Sequence, residues 1–291
     1  MAAPIVVGFD GSDNSRRAVD WAAEEARLRH RPLLIVHSLL VFASVAAEID
    51  GSRIEEMRAE STVLVDDEIA RVRELAPGLD VRGETLEGMT PSVDLLKASL
   101  EAASLVVGSR GRGTFASLLL GSTSSQVAAH SHCPVIVVRG DRVGGDAKPG
   151  HVVVGVDGSP LSQSVLRFGF EEASMRGTRL VAVHAWLPPA PADFGDLLPT
   201  VYDVDALAAD EERLLAESLA GWQAKFPDVP VERVCVRADA RRVLKDESAG
   251  ARLLVVGSRG GGGFTGLLLG SITQAMVHHA HAAVAIVHPG H

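Results

Sequence analysis

What most constrains this 291-residue chain is that it is written twice. IVVGFDGSDNS (5–15) returns as VVVGVDGSPLS (152–162), and LLIVHS (33–38) returns as LVAVHA (180–185), both at an offset of 147. GSRGRGTFASLLLGS (108–122) returns as GSRGGGGFTGLLLGS (257–271) at an offset of 149, with eleven of fifteen positions unchanged. A repeat this long is a whole domain, so two similar domains are expected, at 1–140 and 150–291. RGDRVGGDAKPG (139–150), rich in glycine and charge and without apolar periodicity, is the linker. With 46% apolar residues, each half can bury its own core.

Each half alternates strand and helix. Ile5 to Phe9 is a continuous apolar run, as in a parallel strand buried on both faces. Ser12 or Asn14 can cap a helix running to about Arg29, with Ala18, Trp21, Ala22 and Ala26, and Glu25 beside them, forming its buried stripe. Leu33 to Val36 is a second strand. A longer helix is expected from about Arg53 to Leu75, a third strand near Leu79 to Thr85, and a helix opened by Thr90-Pro91. Leu105 to Val107 is the fourth strand, a helix starts near Ser122, and Val135 to Val138 is the fifth strand. The fold class is therefore α/β: two tandem doubly wound domains, each a five-stranded parallel sheet with helices on both faces.

The glycine-rich loop follows the fourth strand and precedes a helix. Ligands of open α/β sheets bind at that edge, and bare backbone N–H groups at a helix N-terminus favour an anion such as phosphate. Ser122 can cap the helix and offer its hydroxyl to the anion, and Arg110 and Arg112 bring positive charge. Neither loop holds the lysine of a Walker A motif. GxGxxG also fails, because Ala116 stands three beyond Gly113. What fits is glycine, two residues, glycine, nine residues, then Gly-Ser: Gly108, Gly111 and Gly121-Ser122, repeated as Gly257, Gly260 and Gly270-Ser271.

VVGFDGS, the Val-His ending of the second strand, this glycine pattern and HCPVIVV at the fifth strand resemble the universal stress protein family in its tandem two-domain, ATP-binding form. The resemblance implies the adenine nucleotide alpha hydrolase-like fold, a paired domain arrangement, a homodimer, and ATP as ligand. The candidate site in the first half is then Gly8, Asp10, Ser38, Gly108, Ser109, Arg110, Gly111, Arg112, Gly113, Gly121, Ser122 and Thr123. In the second it is Gly155, Asp157, Ala185, Gly257, Ser258, Arg259, Gly260, Gly261, Gly263, Gly270, Ser271 and Ile272. By resemblance the loop holds phosphates and ribose, Asp10 and Asp157 meet the ribose or adenine side, and the backbone of Ser38 and Ala185 faces adenine. The second half has Ala282-Ala283 where the first has Cys133-Pro134, before the strand this family uses for pairing.

Other readings stand beside these. The glycines can serve a tight turn alone, and Asp10 and Asp157 can make Asx-turns with Gly11 and Gly158. His37 and His184 read as satisfied core histidines. His278, His279 and His281, with His130, His132 and Cys133, read as solvated side chains, since His278 and His279 point about 100° apart on a helix and no metal is called for. LPPAPADFGDLLP (187–199) is a lid, an interdomain strap or an ordinary loop. A net charge of −9 argues against nucleic acid or an anionic membrane as partner. Two distant cysteines, no leader-like start and no apolar run of about 20 residues fit a reduced, cytoplasmic protein. No catalytic constellation emerges, though Mg²⁺ could be held through the phosphates or a water on an aspartate. The expected function is an ATP-binding stress or growth regulator. The alternatives are a nucleotide-free interaction module and a slow ATPase or phosphotransferase.

Overall fold

The computed structural model describes residues 2–40, 51–88, 90–111, 120–139, 150–188, 203–261 and 269–290. The first half runs β1 (Ile5–Gly8), α1 (Asp13–Leu28), β2 (Leu33–Leu40), α2 (Gly51–Leu75), β3 (Val81–Gly88), α3 (Pro91–Ala98), β4 (Ser104–Gly108), α4 (Ser122–His130) and β5 (Val135–Val138). The second runs β6 (Val152–Gly155), α5 (Pro160–Met175), β7 (Leu180–Trp186), α6 (Val204–Lys225), β8 (Val231–Arg237), α7 (Ala240–Glu247), β9 (Leu253–Gly257), α8 (Ser271–His279) and β10 (Ala283–Val287). Every expected element is found. β2 and β3 run further than their apolar cores suggested, because they pair with each other along eight positions from Leu33↔Val81 to Leu40↔Gly88.

Within each half the five strands are parallel, but the halves do not form separate sheets. One ten-stranded sheet has the order β3-β2-β1-β4-β5-β10-β9-β6-β7-β8. Among the described strands one seam is antiparallel, joining β5 to β10 with Ile136 opposite Ala285. Alone, each of these fully buried apolar strands would be an unprotected edge, and pairing removes both edges at once. Ala282-Ala283 in place of Cys133-Pro134 leaves this register intact. One face of the sheet is packed by α1, α2, α5 and α6 and the other by α3, α4, α7 and α8.

Ser12 caps α1 by accepting from the Ser15 amide, and Trp21, Ala18, Ala22 and Ala26 are buried as their spacing predicts. Glu25 is fully buried in the same stripe, and its partners are Arg29 of its own half and Arg176 of the other. Arg29 and Arg176, related by the repeat offset, each bridge Glu25 and Glu172. Arg176 also reaches Glu24 at 2.9 Å and lies over the Trp21 ring, as does Arg252, which pairs with Glu24 as well. Arg29 approaches Glu171 at 3.7 Å and covers Phe168, the repeat counterpart of Trp21. The C-terminal turns of α1 and α5 thus meet in a buried charge cluster with near two-fold symmetry. Burial and the neighbouring Glu25 carboxylate push Glu172 up to about 8. Burial opposes ionisation of Glu25 too, but Arg176, the hydrogen bond with Glu172 and Arg29 outweigh it and hold Glu25 low. The pair therefore keeps one proton, on Glu172.

Candidate functional site

β1 connects to β2 on one side and is paired with β4 on the other, and β6 sits in the same way between β7 and β9. At such a switch point the loops leaving the strand ends diverge and open a crevice. Each half has one, of about 1050 Å³ in the first and about 660 Å³ in the second. Both lie in or near the usual range of ~300–1,000 Å³ for small-molecule sites.

Most of the sequence candidates converge there. Gly8, Asp10, Ser38, Gly108, Arg110, Gly111, Gly121, Ser122 and Thr123 line the first crevice. Gly155, Asp157, Ala185, Gly257, Arg259, Gly260, Gly261, Gly270, Ser271 and Ile272 line the second. Ser109 and Ser258 do not line the crevices; both are buried. Ser109 donates its amide to Val138 and accepts from the Gly121 amide (2.8 Å), and Ser258 does the same with Val287 and Gly270. These pairs close the neck of each loop. Arg112, Gly113 and Gly263 lie outside the described residues, as do residues 189–199 of the Pro-rich stretch.

The glycines divide by cause. A Cβ on Gly108 would sit 2.8 Å from the Asn14 carbonyl oxygen, and one on Gly257 2.8 Å from a Leu161 methyl. These two make room for the first turn of α1 and α5. A Cβ on Gly111 would fall on the Asp10 carboxylate, at 2.4 Å, and one on Gly260 would meet Asp157 at 2.7 Å. Neither has a positive φ, so what glycine allows there is the close approach of the aspartate. Left-handed geometry appears instead at Gly11 (φ 79°) and Gly158 (φ 73°), inside the Asx-turns in which Asp10 and Asp157 accept from the Ser12 and Ser159 amides. Among the described residues a Cβ on Gly121 meets nothing closer than 3.7 Å, and no packing demand from them holds glycine at that position.

The expected cap at Ser122 is corrected. Gly121 occupies the N-cap with extended backbone and no side-chain bond, and Ser122 is the exposed first residue of α4. Gly270 and Ser271 repeat this at α8. The hydroxyls that do bind backbone are Ser124, donating to the Gly108 carbonyl, and Thr273, donating to Gly257, both at 2.6 Å. Each helix is anchored by its first turn while, among the described residues, no side chain caps its N-terminal amides, and the positive end of the helix dipole faces the crevice. Arg110 stands exposed at the rim of the first.

The crevices are not copies. Asp157 accepts from Ser162 Oγ (2.6 Å) and from the Gly261 amide (2.7 Å), so its carboxylate already occupies a loop N–H. Burial disfavours that charge, but the bonds from Ser159, Ser162 and Gly261 prevail and hold Asp157 below the usual range. His37 and His184 each donate Nδ1–H to the carbonyl just past the first strand of their half, Phe9 (2.9 Å) and Val156 (2.7 Å). His184 is also bound through Nε2 to Glu211 (2.6 Å) and is buried, whereas His37 lines the first crevice. Sequence reasoning missed the apolar wall from α3 and α7, where Leu95 and Leu244 pack beside Gly8 and Gly155. The helical stripe could have found them. Among the described residues no group of three or more His, Cys, Asp or Glu is placed to hold a metal ion, and no helix is long and apolar enough to cross a membrane.

The universal stress protein family model matches residues 1–139 and again residues 149–288. The chain belongs to the universal stress protein family. Universal stress protein Rv2005c of Mycobacterium tuberculosis is 40% identical over 297 residues, covering 97% of this chain and 96% of that one. A universal stress protein of Mycolicibacterium smegmatis is 35% identical over 294 residues, covering 98% and 97%. The crystal structure of a universal stress protein from Archaeoglobus fulgidus covers all of both chains with a TM-score of 0.70 at 22% identity. The tandem α/β architecture is thus the adenine nucleotide alpha hydrolase-like fold of the family.

Proposed function

We propose that this universal stress protein binds ATP in each half and acts as a nucleotide-dependent regulator of stress or growth in the cytoplasm. The observation that carries the reading is the same anion-ready crevice built twice: an uncapped helix N-terminus, a glycine at its cap with no packing reason to be glycine, and an aspartate facing the loop. Phosphates suit the amides of α4 and α8, with Arg110 and Arg259 at the rim. The apolar wall of Leu95 or Leu244 suits a base stacked beyond Ser38 or Ala185. Asp10 and Asp157 are the carboxylates within reach of a Mg²⁺ that arrives with the phosphates.

Binding is the function, with hydrolysis at most slow. Among the described residues, no side chain near either loop is arranged to orient a water in line with a γ-phosphate. Turnover well below the ~1–10³ s⁻¹ of typical enzymes is expected. The test is to denature purified protein and assay released adenine nucleotide, then titrate ATP into nucleotide-free protein by calorimetry. Two sites per chain support the reading. No released nucleotide and no heat at millimolar ATP would overturn it.

A further inference from the structure

Beside the first crevice the two halves meet in a group of cations that no carboxylate among the described residues neutralises. β5 pairs with β4 as far as Gly108↔Val138, so Arg139 leaves the sheet next to the loop that carries Arg110. Because β10 runs antiparallel to β5, the C-terminal end of α8 lies at this same edge. Arg139 crosses the seam and donates Nη1–H to the Val277 carbonyl oxygen in the last turn of α8. The next residue, His278, is half-buried, and its ring lies 6.1 Å from that of His279. Burial and the Arg110 charge hold Arg139 below the ordinary arginine range. Burial, then His279 and Arg139, hold His278 below that of histidine. Arg110, Arg139 and His278 thus share one positive field, to which both halves contribute.

The end of α8 accounts for a donor at Arg139 but not for an arginine. At the matching place in the other half, His288 donates Nε2–H to the Ala128 carbonyl oxygen (3.1 Å), and Ala128 is the repeat counterpart of Val277. A histidine therefore makes the same seam contact. Ala129 stands in the place of His278. The surplus cations belong to one copy only, and the crevice leads towards them. The strands run in the order β2-β1-β4-β5-β10. Ser38 at β2 and Asp10 past β1 mark one end of the crevice, and the loop after β4 marks the other. A phosphate chain that continues past this loop arrives over β5, at Arg139.

We infer that Arg139, with Arg110 and His278 of the second half, forms an anion subsite at the seam for the outermost phosphate of a nucleotide in the first crevice, which selects a polyphosphate chain over a monophosphate. The inference rests on the nucleotide reading above and adds to it that the second half takes part in recognition by the first. An arginine with N–H groups to spare and a histidine beside it suit a doubly charged terminal phosphate.

The experiment uses Gly270→Asp to silence the second crevice, with AMP, ADP and ATP titrated by calorimetry at one magnesium concentration. Arg139→His and His278→Ala install the residues that the other half carries at the matching places, so the seam contact has a precedent in this same chain, and scanning fluorimetry checks that it holds. Arg139→His should weaken ATP by about tenfold or more while changing AMP less than about twofold. His278→Ala should weaken ATP by about threefold and spare AMP. In the Gly121→Asp protein, which keeps the second crevice, neither substitution should change ATP. An ATP-to-AMP ratio that Arg139→His leaves unaltered, or equal losses of AMP and ATP, would overturn the inference while leaving nucleotide binding standing. Failure of AMP and ATP to bind either the Gly270→Asp or the Gly121→Asp protein removes the nucleotide reading, and this inference with it.

Discussion

Gly121→Asp separates a glycine kept for a ligand from one kept for the fold. Gly121 sits at the N-cap of α4 with φ −71° and ψ 154°, a conformation any residue adopts, and a Cβ there meets only ordinary contacts. Aspartate is a preferred cap residue and gains a few tenths of a kcal/mol over glycine. Its charge adds about 0.3–1 kcal/mol against the helix dipole. The nucleotide-free protein should therefore melt about 1–5 °C higher, given the ~2–4 °C per kcal/mol of chains near this size. The same carboxylate takes the amides a phosphate needs and repels its charge. Losing two charge-assisted hydrogen bonds, at about 1.5–3 kcal/mol each, weakens ATP at this site by a hundredfold or more. Differential scanning fluorimetry without nucleotide reads the first effect, and calorimetric stoichiometry, falling from two to one, reads the second. A protein that is stabilised yet still binds two ATP would show that the open helix end is not the phosphate site.

Three further predictions test neighbouring parts of the structure. Gly108→Ala should cost about 1–3 kcal/mol in urea unfolding, because its Cβ meets the Asn14 backbone and overpacks the start of α1; an unchanged midpoint refutes that packing. Glu172, raised from 4.5 to about 8, contributes stability that is full below about 4.5 and lost as pH climbs through 8. At about 1.4 kcal/mol per tenfold in proton affinity this is at most about 5 kcal/mol, shared with Glu25. Glu172→Gln, which cannot ionise, should thus gain on the parent protein between pH 5 and 9, and parallel stability curves would show that the cluster holds no proton. Finally, a Gly270→Asp protein should bind ATP up to about tenfold tighter than a Gly121→Asp protein, because ligand entering the smaller second crevice competes with the Ser162 hydroxyl for Asp157, whereas the matching Ser15 hydroxyl donates to the Ser12 carbonyl oxygen; equal affinities refute it.

The repeat, the continuous apolar strands and the punctuating glycines made the elements and the crevice legible in the sequence, since each depends on local chemistry. What depends on a partner far along the chain was not legible. Glu25 is placed with its stripe of alanines, but nothing local says what neutralises a carboxylate there, until Arg176 arrives 151 positions later. The joining of two sheets into one had a sequence sign only in β5 and β10, apolar throughout though each ends its half. Buried edges of that kind need a partner, and the second copy supplies it. The two crevices looked like repeats because their glycines repeat. Their surroundings differ at Arg139 and His278 against His288 and Ala129, and only the fold brings those positions together. Duplication fixed the scaffold that both halves need for pairing, and it left the residues around the crevices free to diverge, since arginine and histidine make the same contact across the seam. In a tandem chain the informative residues of the candidate site are therefore those at which the copies disagree while the backbone around them agrees.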